Sequence, residues 1–114
     1  MSYKRGDIVL VNFNPQKRAQ EVAKIRPAII VSDSELNEIL DLVTVVAMTT
    51  NLIDDAEPLR IRIAKREKLQ EDSDAMIEQL RSVAKSRIGE RLGKVSQEEM
   101  EKIEEGVRKM LNLR

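Results

Sequence analysis

Apolar residues fall in short tight blocks along most of the chain and in a wider stripe near its end. Ile8-Val9-Leu10-Val11 follows a turn-like Arg5-Gly6-Asp7 and stops at Asn12, Asn14 and Pro15. The block is apolar on both faces, as expected of a strand that closes a small barrel. Ala28–Val31 and Leu42–Met48 predict a second and a third strand, the latter running into Thr49-Thr50. Between them Leu36, Ile39 and Leu40 have helical spacing, which predicts one short helix or a pair of turns over Ser34 to Leu40. Leu59-Arg60-Ile61-Arg62-Ile63 alternates cleanly, so that strand has one wet, basic face. Asp74–Leu80 is a fifth strand candidate.

The period then changes. Ile88 and Leu92 are four apart with Gly93 behind them, which predicts a helical turn ended by glycine. Ser96-Gln97-Glu98-Glu99 has the form of a capping box, flanked by Val95 and Met100 at the staple positions. Met100, Ile103, Val107, Met110 and Leu111 form one apolar stripe of the helix that follows. Five or six short strands and a C-terminal helix in 114 residues predict one domain, mainly β, built as a small, strongly bent barrel or half-barrel.

Charge adds a second pattern. The net charge is zero, yet residues 1–26 are net +4 and residues 33–57 net −7. Residues 60–68 are net +4, 71–78 net −4 and 81–94 net +4. Basic blocks that converged in space would make an anion groove; otherwise they are solvated faces. Cysteine and histidine are absent, which removes disulfides, thiolate chemistry, the commonest general base and the commonest metal ligands. Only Tyr3 and Phe13 are aromatic, a thin supply for base stacking. No apolar stretch approaches the roughly 20 residues of a membrane span, and no signal peptide is visible, so the expected setting is cytoplasmic, without a membrane.

Arg26 is the leading candidate for chemistry. Pro27 biases it toward extended geometry, which would hold a permanently charged planar fork at the entrance of the second strand. If the second and third strands share a sheet, Arg26 and a threonine hydroxyl at their ends face one anion. Taken singly, an arginine before proline is more often a surface ion pair, and a threonine at a strand end a turn-former.

Four segments in order resemble the MazF/PemK toxins. They are Lys4-Arg5-Gly6-Asp7-Ile8-Val9-Leu10-Val11-Asn12-Phe13, Arg26-Pro27-Ala28-Ile29-Ile30-Val31, Val45-Val46-Ala47-Met48-Thr49, and Glu78-Gln79-Leu80-Arg81 with Lys85 and Arg87-Ile88 beyond. The similarity runs from about Tyr3 to Leu111. It implies an SH3-like barrel with a C-terminal helix, assembled as a homodimer. It also implies a sequence-selective endoribonuclease, an mRNA interferase that cleaves single-stranded RNA without metal or cofactor and leaves 2′,3′-cyclic phosphate and 5′-hydroxyl ends. Arg26 and Thr49 match the family's catalytic pair, and Glu78 and Gln79 a pair lining the RNA site. Lys17 and Arg18, in a basic loop over residues 16–25, are expected on the RNA backbone, as is Arg81. Asp33 falls near an RNA-contacting position of some members. The implied partner is a cognate antitoxin whose acidic tail blocks the site. Residues 16–25 contain no glycine, where members often carry several. The alternative is a non-catalytic toxin of the same barrel type that binds a protein such as DNA gyrase; a third is a plain binding module.

Overall fold

The structure is a computed structural model and describes residues 2–13 and 24–114. Six strands form one antiparallel sheet, β1 (Asp7–Asn12), β2 (Ile25–Ile30), β3 (Leu42–Thr49), β4 (Arg60–Ile63), β5 (Ser73–Ala84) and β6 (Ile88–Lys94). Their spatial order is β4-β5-β3-β2-β1-β6. Helix α1 (Ser34–Ile39) joins β2 to β3, and α2 (Gln97–Leu111) ends the fold.

The sheet coils until its outer edges meet. The segment after β4 bonds to β6: the Lys68 amide donates to the Leu92 carbonyl at 2.9 Å, and Arg66 Nη1 to the Lys94 carbonyl at 3.3 Å. This closure makes the barrel-like shape and covers two edges that would otherwise stay unpaired. Alternate residues of the strands feed two cores. Ile8, Ile29, Val46 and Ile77 lie on one, under Met100 and Ile103 of α2. Val9, Val11, Ala28, Ile30 and Val45 lie on the other, with Tyr3 and Phe13 against its rim. Burying each of these Val and Ile side chains stabilises the fold by about 1.5–3 kcal/mol, which is why the apolar runs of β1 and β3 have no polar face.

The Ile88–Gly93 segment is a strand, in place of the helical turn that its four-residue spacing predicts. Two register shifts against β1 explain the misleading period. From Ile8↔Gly93 to Val9↔Arg91 to Val11↔Ile88, β6 gains an extra residue at each step. The bulges break the two-residue alternation, so Ile88 joins one core and Leu92 the other.

Strand β5 continues four residues past the expected Leu80, to Ala84. It too is bulged. Between Val46↔Leu80 and Met48↔Ala75, β3 advances two residues while β5 advances five. Ile77, Glu78 and Gln79 have no register partner in either neighbouring ladder among the described residues.

Helix α1 forms where expected, but Leu36, Ile39 and Leu40 of its apolar spacing are exposed. Its buried residue is Asn37, whose amide donates to the Tyr3 and Ser32 carbonyls at 2.8 and 3.2 Å and accepts from Ser32 Oγ at 2.6 Å. In α2 the capping box is complete, and Arg66 adds a bidentate bridge to Glu99 at 2.6 and 2.7 Å. Burial pushes the Glu99 carboxyl up, but the bonds from Arg66 and the Ser96 amide outweigh it and hold the group below the usual carboxylate range. Of the predicted stripe, Met100 and Ile103 are buried while Met110 and Leu111 stay exposed.

Candidate functional site

Arg26 is the second residue of β2, inside the strand rather than at its entrance, opposite Val11 of β1. The β2–β3 ladder begins beyond it, at Ala28↔Ala47, so Pro27 occupies a place where β3 offers no partner. The result is an exposed guanidinium on the face shared with Val11 and Ala28. Arg26 makes no ion pair among the described residues.

Two depressions meet at this side chain. One, of about 320 Å³, is lined by Ile25, Arg26, Pro27, Met48, Thr49 and Thr50. The other, of about 340 Å³, is lined by Phe13, Lys24, Arg26, Ala47, Met76, Gln79 and Arg81. The second holds three cations and no carboxylate. It suits an anion and offers a hard divalent cation no carboxylate, only neutral oxygens such as that of the Gln79 amide. Arg81 lies over the Phe13 ring, 5.2 Å from its centroid, so the guanidinium and the ring make one continuous wall.

Thr49 ends β3 with its hydroxyl oxygen accepting the Asn51 amide at 3.1 Å. That bond forms a tight turn and leaves the hydroxyl proton available to donate into the depression. Thr50, also on the rim, is exposed.

The β5 bulge separates Glu78 from Gln79. Gln79 lines the cationic depression, whereas Glu78 turns to β4, where its carboxylate lies 3.8 Å from Arg60 Nε. Asp33 lies at neither depression; it caps α1, accepting the Glu35 and Leu36 amides at 3.0 and 3.1 Å. Lys17 and Arg18 lie outside the described residues.

The basic blocks do not all converge. Arg60 and Arg62 of the second basic block are matched by acidic neighbours, with Arg62 Nε on Asp74 at 2.6 Å and Nη2 on Asp54 at 2.9 Å. These residues line a larger depression of about 600 Å³ that also carries Asp55 and Glu57, a poor place for an anion. Arg26 and Arg81 are different: they meet across the cationic depression and have no acid opposite them among the described residues.

Phe13, Lys24 and Met76 belong to the site but not to the expected set. Strand parity carries two of them: Phe13 continues the face of Val9 and Val11, and Lys24 the face of Arg26 and Ala28. The Phe13 amide donates to the Lys24 carbonyl at 2.7 Å and extends the β1–β2 pairing to these two residues.

The profile of the family described as PemK-like, MazF-like toxin of type II toxin-antitoxin system matches residues 4–111. The chain belongs to the MazF/PemK toxin family. Solved MazF structures share its fold. MazF from Deinococcus radiodurans superposes with a TM-score of 0.79 at 19% identity, over 99% of each chain. The Mycobacterium tuberculosis toxin MazF-mt6 gives 0.78 at 16%, over 95% of this chain and 98% of that one. An endoribonuclease from mycobacterial species, solved with its cognate antitoxin, gives 0.74 at 20%, over 99% and 96%. At such identities the likeness establishes the fold, a MazF barrel with its C-terminal helix. No helix of the described residues is long and apolar enough to cross a membrane.

Proposed function

We propose that this MazF/PemK chain is a metal-independent endoribonuclease that cleaves single-stranded RNA at the junction of the two depressions. The observation that carries the reading is Arg26 itself: an exposed guanidinium, without an ion pair among the described residues, shared by a depression with Thr49 and one with Gln79 and Arg81.

In the proposed reaction the RNA supplies its own nucleophile. The 2′-oxygen bonds to phosphorus, its proton leaves to water, and the 5′-oxygen departs and takes up a proton. The products carry a 2′,3′-cyclic phosphate and a 5′-hydroxyl. The protein's task is to align the strand and to stabilise charge on the phosphorane oxygens. Arg26 offers two parallel N–H donors for that charge. The Thr49 hydroxyl donates to a phosphate oxygen or orients the 2′-hydroxyl. Glu78 is drawn toward Arg60, which leaves it poorly placed as a base. Lys24 and Arg81 hold flanking phosphates, and the Gln79 amide has the donors and acceptor to read a base edge.

The same cationic depression would receive the acidic tail of a cognate antitoxin, so inhibition and catalysis use one surface. A homodimer is part of this reading, and the exposed Leu36, Ile39, Leu40 and Leu42 offer it apolar surface.

The test is end mapping of a long single-stranded RNA incubated with the purified chain in EDTA. Cleavage at a short recurring sequence, with cyclic phosphate ends, is expected. Arg26→Ala should lower the rate by at least about 10²–10³-fold, the usual cost of an oxyanion donor, with the fold intact. Full activity in that variant removes Arg26 from the mechanism. Loss of cleavage on chelation overturns metal independence, and absence of any cleavage by the wild-type chain would favour the protein-binding alternative.

A further inference from the structure

We propose that Asp74, which lines neither depression at Arg26, is a positioning residue that fixes the orientation of the Thr49 hydroxyl. The inference rests on the ribonuclease reading for what Thr49 does, but its structural half stands without it.

Asp74 faces Thr49 across the β3–β5 ladder, and its side chain is only 1% exposed. A buried carboxylate is retained only with strong partners. Asp74 divides its partners between two elements. Oδ1 accepts from Arg62 Nε of β4 at 2.6 Å, and Oδ2 accepts the Ile53 amide at 2.8 Å. Ile53 belongs to the turn that leaves Thr49. The carboxylate therefore pins that turn to the β4–β5 hairpin.

Within the turn, the Asn51 amide bonds Thr49 Oγ1 at 3.1 Å, while the Asn51 carbonyl takes a long bond from Arg60 Nη1 at 3.4 Å. The path from Asp74 to the hydroxyl is thus short: carboxylate, Ile53 amide, turn backbone, Asn51 amide, Thr49 oxygen. With the Ile53 tie gone, the turn is held from β4 by the long Arg60 contact to Asn51 and by the Arg62 bond to the exposed Asp54 side chain, which lies beyond Ile53 and does not fix the Asn51 amide. The Asn51 amide then drifts from Thr49, and the hydroxyl is free to rotate away from the depression. Charge pairing alone does not need this arrangement, since Arg62 already has Asp54 at 2.9 Å.

Asp74→Asn keeps the side-chain volume but turns an amide group toward one of the two donors. The first measurement is amide hydrogen exchange. Asn51 and Ile53 should both exchange faster in the variant, with Ile29 in β2 unchanged. The second is single-turnover cleavage at saturating RNA. The rate should fall roughly ten- to a hundredfold, as for a misplaced group, with unchanged affinity for an RNA carrying a 2′-deoxy cleavage position. The third is a cycle with Thr49→Ala: the double variant should cleave no more slowly than Thr49→Ala alone. Faster exchange at Ile53 with Asn51 still protected overturns the proposal, as does full additivity in the cycle. If the wild-type chain cuts no RNA, the ribonuclease reading falls and the exchange data alone decide whether Asp74 sets the turn. Should Asp74→Asn not fold, Arg62→Gln loosens the carboxylate from the β4 side and should speed Asn51 exchange; no change at Asn51 counts against the proposal.

Discussion

Gly106 lies inside α2, where glycine is ordinarily a weakness. Replacing it with alanine in an exposed helix would stabilise the fold by about 1 kcal/mol. Here the opposite is expected. A Cβ at residue 106 would overlap the Pro58 carbonyl oxygen and stand 2.9 Å and 3.3 Å from Cγ1 and Cδ1 of Ile77. Ile77 is fully buried, and Pro58 is followed by the β4 strand, so neither can retreat without moving a strand. Overpacking of this kind costs about 1–3 kcal/mol, and contact with a rigid carbonyl puts it near the upper end. Subtracting the gain in helix propensity leaves Gly106→Ala destabilised by roughly 1–2 kcal/mol. With a urea slope of about 1.5 kcal/mol per molar, the midpoint falls by roughly 1 M. Urea unfolding followed by circular dichroism measures it, with the exposed Glu105→Ala as a control expected within about 0.5 kcal/mol of wild type. A midpoint equal to or above wild type would refute the claim that α2 seats backbone-close on β5 through this glycine.

Other outcomes are expected at the site and in the scaffold. Thr49→Ala should slow cleavage by more than Thr50→Ala does; equal losses would mean that the chemistry does not select the hydroxyl tied to Asn51. Arg81→Ala should weaken RNA binding and lower the slope of log affinity against log salt by about 0.7, one phosphate's worth for single strands, whereas an unchanged slope places Arg81 off the backbone track. Asp74 responds to acid as Glu99 does: burial raises its carboxyl, but the Arg62 bond and the Ile53 amide outweigh it and hold it below the ordinary range. A depressed folded value contributes stability that is complete above the unfolded value of about 4 and is lost as pH falls through the folded one. Glu99→Gln should therefore be less stable than wild type at neutral pH and approach it in acid; a gap independent of pH would contradict this.

Much of the architecture is legible where one period holds. Buried runs such as Val43–Met48 announce strands, and Ser96 with Glu99 announces α2, because local chemistry and tertiary burial agree there. Legibility fails where a bulge changes parity. Ile88 and Leu92 feed different cores because one residue is inserted between Ile88 and Arg91, and no single-strand pattern records that. Helix α1 misleads for another reason: it is anchored by the hydrogen bonds of Asn37, while its leucines and isoleucine face outward. At the site, Arg26, Thr49 and Gln79 are legible as members of ordered segments. The division between Gln79 and Glu78 is not, since it depends on three extra residues in β5 whose effect appears only once both neighbours are in register.

Those three residues give this barrel a place to vary. The pairs Val46↔Leu80 and Met48↔Ala75 fix the sheet on either side, and the bulge between them carries side chains that no ladder constrains. A substitution at Gln79 alters the wall of the cationic depression, and one at Glu78 the surface beside Arg60, without asking any strand to slip. The wall of the depression can therefore change at a different pace from the barrel. The barrel around it is the part that superposes on the Deinococcus radiodurans MazF, with a TM-score of 0.79 at 19% identity.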